Sequence, residues 1–149
     1  MNATSTPSPS VNAHWEHFHH GADIGVRGIG TSEAHAFELA ALALSAVITD
    51  PASVVARTPV AIACAAPDND LLFCDWLNAL IYEMSTRKML FSRFQVQLRD
   101  GHLSGTAWGE PIDRARHAPA VEVKGATLTE LRVEQRGPEH WIAQCVVDV

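Results

Sequence analysis

Apolar and polar positions along the chain follow two different periods. From Thr31 onward, Phe37, Ala40, Ala41, Leu44, Val47 and Ile48 recur at helical spacing and form one continuous stripe. Thr31 or Ser32 is suited to cap the start of this helix, and Asp50-Pro51 stops it. A second helix is predicted to begin between Asp68 and Asp70, with Phe73, Trp76, Leu77, Leu80 and Met84 on one side. Elsewhere the period is two. Phe94, Val96 and Leu98 alternate with Gln95, Gln97 and Arg99, and Asp100-Gly101 then predicts a tight hairpin turn. Leu131 and Val133 alternate with charged residues, Gly137-Pro138 breaks the run, and Trp141 to Val147 resumes it as a second hairpin. Further strands are expected at Trp15 to His19, Ile24 to Ile29 and Val54 to Ala63.

The expected order is therefore ββαβαββββ. It implies an α/β protein of α+β type, a two-layer sandwich with two helices packed on one face of a largely antiparallel sheet. Each helix is expected to keep a polar back. Residues 1–13 are rich in Ser, Thr, Pro and Asn and carry little apolar surface, so they are expected to form a disordered N-terminal tail preceding a single domain over 14–149. No run is apolar enough to cross a bilayer, and the N-terminal stretch lacks the basic start and apolar run of a signal peptide. No membrane association and a cytoplasmic location are the resulting expectations.

A formal net charge of −6 with scattered basic residues speaks against strong direct binding to nucleic acid. Cys64, Cys74 and Cys145 lack C-x-x-C spacing and read as reduced, small apolar fillers. Gly28-Ile29-Gly30 before a helix suggests the start of a dinucleotide fingerprint, but Glu33 occupies the place of the third glycine. The simpler expectation is that these glycines turn the chain from strand into helix. Gly30-Thr31-Ser32-Glu33-Ala34 is an imperfect nucleophile elbow, and Ser32 is explained more simply as a helix cap.

Two clusters remain as candidate chemistry. His14, His17, His19 and His20 invite a zinc hydrolase hypothesis. On an extended strand, however, His17 and His19 share one face while His14 and His20 share the other, which opposes convergence on a tetrahedral ion. The other cluster needs the end of the sequence. If Asp23 lies beside the strand that finishes in Asp148-Val149, two side-chain carboxylates and the α-carboxylate of Val149 approach one point. A hard divalent cation with a preference for oxygen would relieve their repulsion, which favours calcium, magnesium or manganese over zinc.

Five stretches together resemble the archease family over about Phe18 to Val149. His20-Gly-Ala-Asp23-Ile24-Gly25-Val26 is similar to the family's H-T-A-D-I-G-I, and Glu33 to Leu44 to its A-F-x-x-A-A-x-A-L pattern. Leu71 to Tyr82 is similar to L-L-x-x-W-L-N-x-L-x-Y. The remaining two are Gly109-Glu110-Pro111-Ile112-Asp113 and the closing Asp148-Val149. The resemblance implies a protein cofactor of an RtcB-type RNA ligase rather than an enzyme. Such a cofactor promotes GTP-dependent guanylylation of the ligase and multiple turnover in tRNA splicing or RNA repair. By position it also implies Asp23, Asp148 and Val149 as ligands of a divalent metal ion, calcium first, and Lys124 and Thr127 as functional or partner-contact residues. Gly21 and Thr129 depart from the family pattern, which usually has Thr and often His there. The alternative is a chaperone-like binding module for another RNA-processing enzyme, such as a tRNA methyltransferase.

Overall fold

The computed structural model describes residues 11–149, so most of the expected N-terminal tail lies outside the described residues. Strand β1 (His14–His20) and strand β2 (Asp23–Gly30) form a hairpin, followed by helix α1 (Glu33–Ile48), a 3-10 turn at Pro51–Ser53 and strand β3 (Thr58–Ala65). Helix α2 (Asn69–Arg87) leads into strands β4 (Met89–Arg99) and β5 (His102–Pro111) and the short helix α3 (Arg114–His117). Strands β6 (Gly125–Ala126), β7 (Arg132–Gly137) and β8 (His140–Asp148) complete the fold. The order matches the sequence expectation except for the additions of α3 and β6. Residues 54–57 precede β3 because the 3-10 turn occupies the preceding segment.

The α+β class and the antiparallel pairing are as expected, but the strands divide between two sheets. In one, β1, β2 and β8 lie side by side, and β6 and β7 pair with opposite ends of the far edge of β8. The other has the order β3-β5-β4. Backbone groups at the outer edges of β4, β6 and β7 are met by helix side chains. Val96 N–H of β4 donates to Glu38 of α1 at 2.8 Å, and Ser45 of α1 donates to the Phe91 carbonyl at 2.8 Å. On α2, Asp70 accepts from Val133 N–H of β7 and Asn78 from Ala126 N–H of β6. Each helix thus covers the face of one sheet and satisfies an edge of the other, which closes edges that would otherwise invite pairing with another chain.

This arrangement corrects the expectation of a polar back for α1, while α2 keeps one, with Asp75, Asn78, Ser85 and Thr86 exposed. Ala36, Phe37, Ala40, Ala41, Ala43, Leu44 and Ser45 of α1 are all buried, because the helix has a sheet face on one side and a strand edge on another. Its caps follow the sequence: Ser32 accepts from His35 N–H, and at α2 Asp68 accepts from Leu71 N–H. Trp76 of α2 is fully buried and donates its indole N–H to the Phe37 carbonyl at 3.1 Å, tying the two helices together.

The glycines of Gly28-Ile29-Gly30 act differently from the expectation. Gly28 lies inside β2, not at a turn, and a Cβ there would overlap the Ala36 carbonyl oxygen and the Ala40 amide nitrogen. Helix α1 rests its backbone on this strand.

Gly109-Glu110-Pro111-Ile112-Asp113 has a structural account. Glu110 is buried and accepts from the Arg116 guanidinium through both oxygens, from Val55 N–H at 2.7 Å and from His117 Nε2 at 3.0 Å. Asp113 N–H donates to His117 Nδ1, which leaves Nε2 as the donor. Arg116 foremost, then the Val55 amide, holds the Glu110 carboxyl well below its ordinary 4.5. A carboxyl with a depressed folded-state pKa contributes stability above its unfolded value and loses it as pH falls toward the folded one. Glu110→Gln is therefore expected to lower the thermal midpoint at pH 7, and the gap from the parent should narrow as unfolding is followed from pH 4.5 downward.

Candidate functional site: an acidic sheet end

The β1–β2 hairpin closes with His20 opposite Asp23 across a two-residue turn. Gly21 has φ +60° at the first central position of this turn, a conformation glycine takes without strain. The turn thus has a backbone reason for glycine at the position that departs from the family pattern. On the other side of β2, Ile24 is opposite Val147, and continuing that register brings Asp23 opposite Asp148. Val149 N–H donates to Asp23 Oδ1 at 3.4 Å. Residues separated by most of the described chain therefore meet at one end of the five-stranded sheet.

Strand alternation sets the direction of these side chains. Ile24 and Val147 pack against the core, so Asp23 and Asp148 occupy the opposite, outer face, with His20 in the same cross-strand row. Asp148 is exposed and Asp23 half-buried. Next in the row, Gly125 pairs with Asp148, and Lys124 N–H donates to the Asp148 carbonyl at 2.8 Å. The Lys124 side chain is exposed beside this end of the sheet.

Thr127 lies one turn of loop further on. Its hydroxyl donates to the Val146 carbonyl at 2.8 Å and accepts from Thr129 N–H at 3.2 Å. Thr129 in turn accepts from Val146 N–H through its backbone carbonyl, a bond that any residue at this position could make. Thr127 thus orders the loop that carries Lys124.

The histidines do not gather. His17 is on the helix-facing side of β1, where its Nε2 bonds the Ala43 carbonyl at 2.7 Å, and His14 on the other face bonds Glu16 and the Asn12 carbonyl. Among the described residues, no group of three or more His, Cys, Asp or Glu side chains converges as a metal site. At the acidic end, two side chains are present, and a third anionic oxygen group would have to come from the Val149 carboxylate. Oxygen-only anionic sets suit hard divalent cations. Sequence reasoning treated His20 as part of the histidine cluster and missed its place beside Asp23; the two-residue turn Gly21-Ala22 was the available signal.

Other candidate chemistry is accounted for structurally. Ser32 is a helix cap. Burial raises the thiols of Cys64 and Cys74, and pushes Cys145 up to about 12, so all three stay protonated near neutral pH, as expected of small fillers.

Comparison with known proteins bears on the same residues. The model of the Archease protein family (MTH1598/TM1083) matches residues 15–149. The chain belongs to the archease family. It is 35% identical to protein archease of Pyrococcus furiosus over 139 residues, covering 91% of this chain and 98% of that one. It is 34% identical to protein archease of Sulfurisphaera tokodaii over 137 residues, with the same coverage. The solution structure of Methanobacterium thermoautotrophicum protein 1598 superposes with a TM-score of 0.79 at 32% identity, covering 91% of this chain and 98% of that chain. A crystal structure from Thermotoga maritima, of a protein described as an archease and possible chaperone, shares the fold with a TM-score of 0.56 at 18% identity, over 89% and 94% of the two chains. The archease-family match spans both halves of the acidic end, from the β1–β2 hairpin to the final residue.

Proposed function

We propose that this archease-family chain is a cytoplasmic protein cofactor of an RtcB-type RNA ligase. In this reading it promotes GTP-dependent guanylylation and multiple turnover in tRNA splicing or RNA repair, and the ligase carries out the phosphoryl chemistry. The meeting of Asp23, Asp148 and Val149 at one end of the sheet is the observation that supports it. Asp23, Asp148 and the Val149 carboxylate would hold a divalent ion, calcium first, with magnesium or manganese as alternatives. Such an ion would offset the repulsion among the carboxylates and present positive charge where the partner docks. Lys124 is assigned to partner contact because its side chain is exposed and its backbone N–H is bonded to Asp148, and Thr127 to ordering its loop.

A multiple-turnover ligation assay with the cognate ligase tests the proposal. Asp23→Ala and Asp148→Ala are expected to reduce stimulation to nearly the level of the ligase alone, while a single turnover by pre-guanylylated ligase is unaffected. Stimulation equal to that of the parent protein would refute the site assignment.

The second reading is a chaperone-like module for another RNA-processing enzyme, such as a tRNA methyltransferase. It draws support from the words "possible chaperone" attached to the Thermotoga relative, whose likeness to this chain is one of fold. Under that reading both aspartate variants keep full binding to the alternative enzyme and the ligase is not retained in a pull-down.

A further inference from the structure

A second surface lies beyond Lys124, on the other side of the loop from the acidic end. The C-terminal half of α2, the start of β4 and the strap over residues 119–124 enclose an open groove of about 780 Å³. Its floor is apolar, built from Ile48, Ile81, Met84, Met89, Leu90 and Ile112. Two of the four large apolar side chains exposed among the described residues, Tyr82 at 65% and Val121 at 38%, flank it. Methionines in such a floor adapt to varied apolar side chains.

The rim carries charge of a definite sign. Of the eleven basic residues, Arg27, Arg87, Arg99, Arg116, Arg132 and Arg136 have acidic partners, and Arg93 stacks on Trp108. Arg57, Lys88, Arg114 and Lys124 have none among the described residues, and the last three line this groove. On a chain of net charge −6, the unpaired cations are thus concentrated at one place. Glu122 is the acidic residue facing them.

The strap adds a third feature. Ala120 N–H bonds the Ile48 carbonyl and Lys124 N–H the Asp148 carbonyl, but the backbone N–H groups of Val121, Glu122 and Val123 between them donate to nothing within the described residues. A segment with free main-chain donors beside an apolar trough is suited to receive another backbone.

We propose that this groove binds an acidic, apolar-containing peptide segment of a partner protein. The segment's large apolar side chains fill the methionine- and isoleucine-rich floor, its carbonyls accept from the strap, and its carboxylates meet Lys88, Arg114 and Lys124. A nucleic-acid strand fits less well: its phosphates could use the cations and the strap's donors, but they would leave the apolar floor without matching groups.

Fluorescence polarisation with the full chain and a short labelled peptide alternating Leu with Asp and Glu tests this without any ligase, so its outcome is independent of the ligation assay. The acidic peptide is expected to bind, more weakly as salt is raised, while the same peptide with Lys in place of every acid does not. Lys88→Gln combined with Arg114→Gln, both at exposed positions, is expected to weaken binding by roughly tenfold, with circular dichroism and thermal midpoint close to the parent's. Amide NMR signals of residues 121–123 should shift on titration. Absent binding, equal binding of the basic peptide, undiminished affinity in the double variant, or displacement by a single-stranded oligoribonucleotide would overturn the proposal.

Discussion

A short glycine extension beyond Val149 is expected to lower divalent-cation affinity by roughly 100-fold while leaving the folding midpoint within error of the parent's. No residue is removed by this change. The extension converts the α-carboxylate beside Asp23 into a neutral amide and carries the terminal negative charge away to the end of the added residues. Val149 N–H still donates to Asp23, and the β2–β8 register from Ile24 and Val147 onward is untouched. Altering a group that merely supports a ligand typically costs 10–100-fold in metal affinity, so losing a direct ligand should cost at least the upper end of that range. Calorimetric titration of calcium and manganese into parent and extended chains checks it. Parent-like affinity in the extended chain would mean that the terminal carboxylate is not a ligand.

The second large effect concerns folding. Gly28→Val is expected to destabilise the protein by about 3 kcal/mol or more, at the upper end of what overpacking costs. The obstructing atoms are the Ala36 carbonyl and Ala40 amide of α1, which cannot rotate aside. Gly25→Ala offers the contrast. Its new methyl would meet the ring of Phe18, a half-buried side chain on the outer face under Arg27, and that ring can swing outward. Urea unfolding should therefore show a much larger loss for Gly28→Val than for Gly25→Ala. Similar losses would mean that strand and helix can separate cheaply at Gly28.

What the sequence reveals here is mostly local. The stripe through Phe37, Leu44 and Ile48, the cap at Ser32 and the Asp100-Gly101 turn, whose residues both have positive φ, depend on neighbours a few positions away. The division into two sheets does not. The sheet edges are met by Glu38 reaching Val96 and Asp70 reaching Val133, contacts between distant residues that leave no periodic trace. Gly28 looks like a turn former in sequence because the helix resting on it is visible only in three dimensions. Residues 118–131 alternate only briefly, Val121 and Val123 with Glu122 and Lys124, and that run forms the strap rather than a strand, so the strap, β6 and the loop ordered by Thr127 could not be drawn beforehand. The acidic end was legible for a different reason. In sequence the meeting of Asp23 with the final residues is conditional on their strands being neighbours, with the archease resemblance naming the same residues by position, and the observed register sets those acids opposite each other. Lys88, Arg114 and Lys124 appear scattered in sequence because α2, α3 and the strap meet only after folding.

Anomalous diffraction from crystals grown with manganese is the most direct test of the claim that carboxylates from the two ends of the domain share a cation. One strong peak per chain is expected between Asp23, Asp148 and the Val149 carboxylate, absent in Asp148→Asn. A peak at the histidines of β1 instead, or none at the acidic end with manganese at saturating concentration, would contradict it.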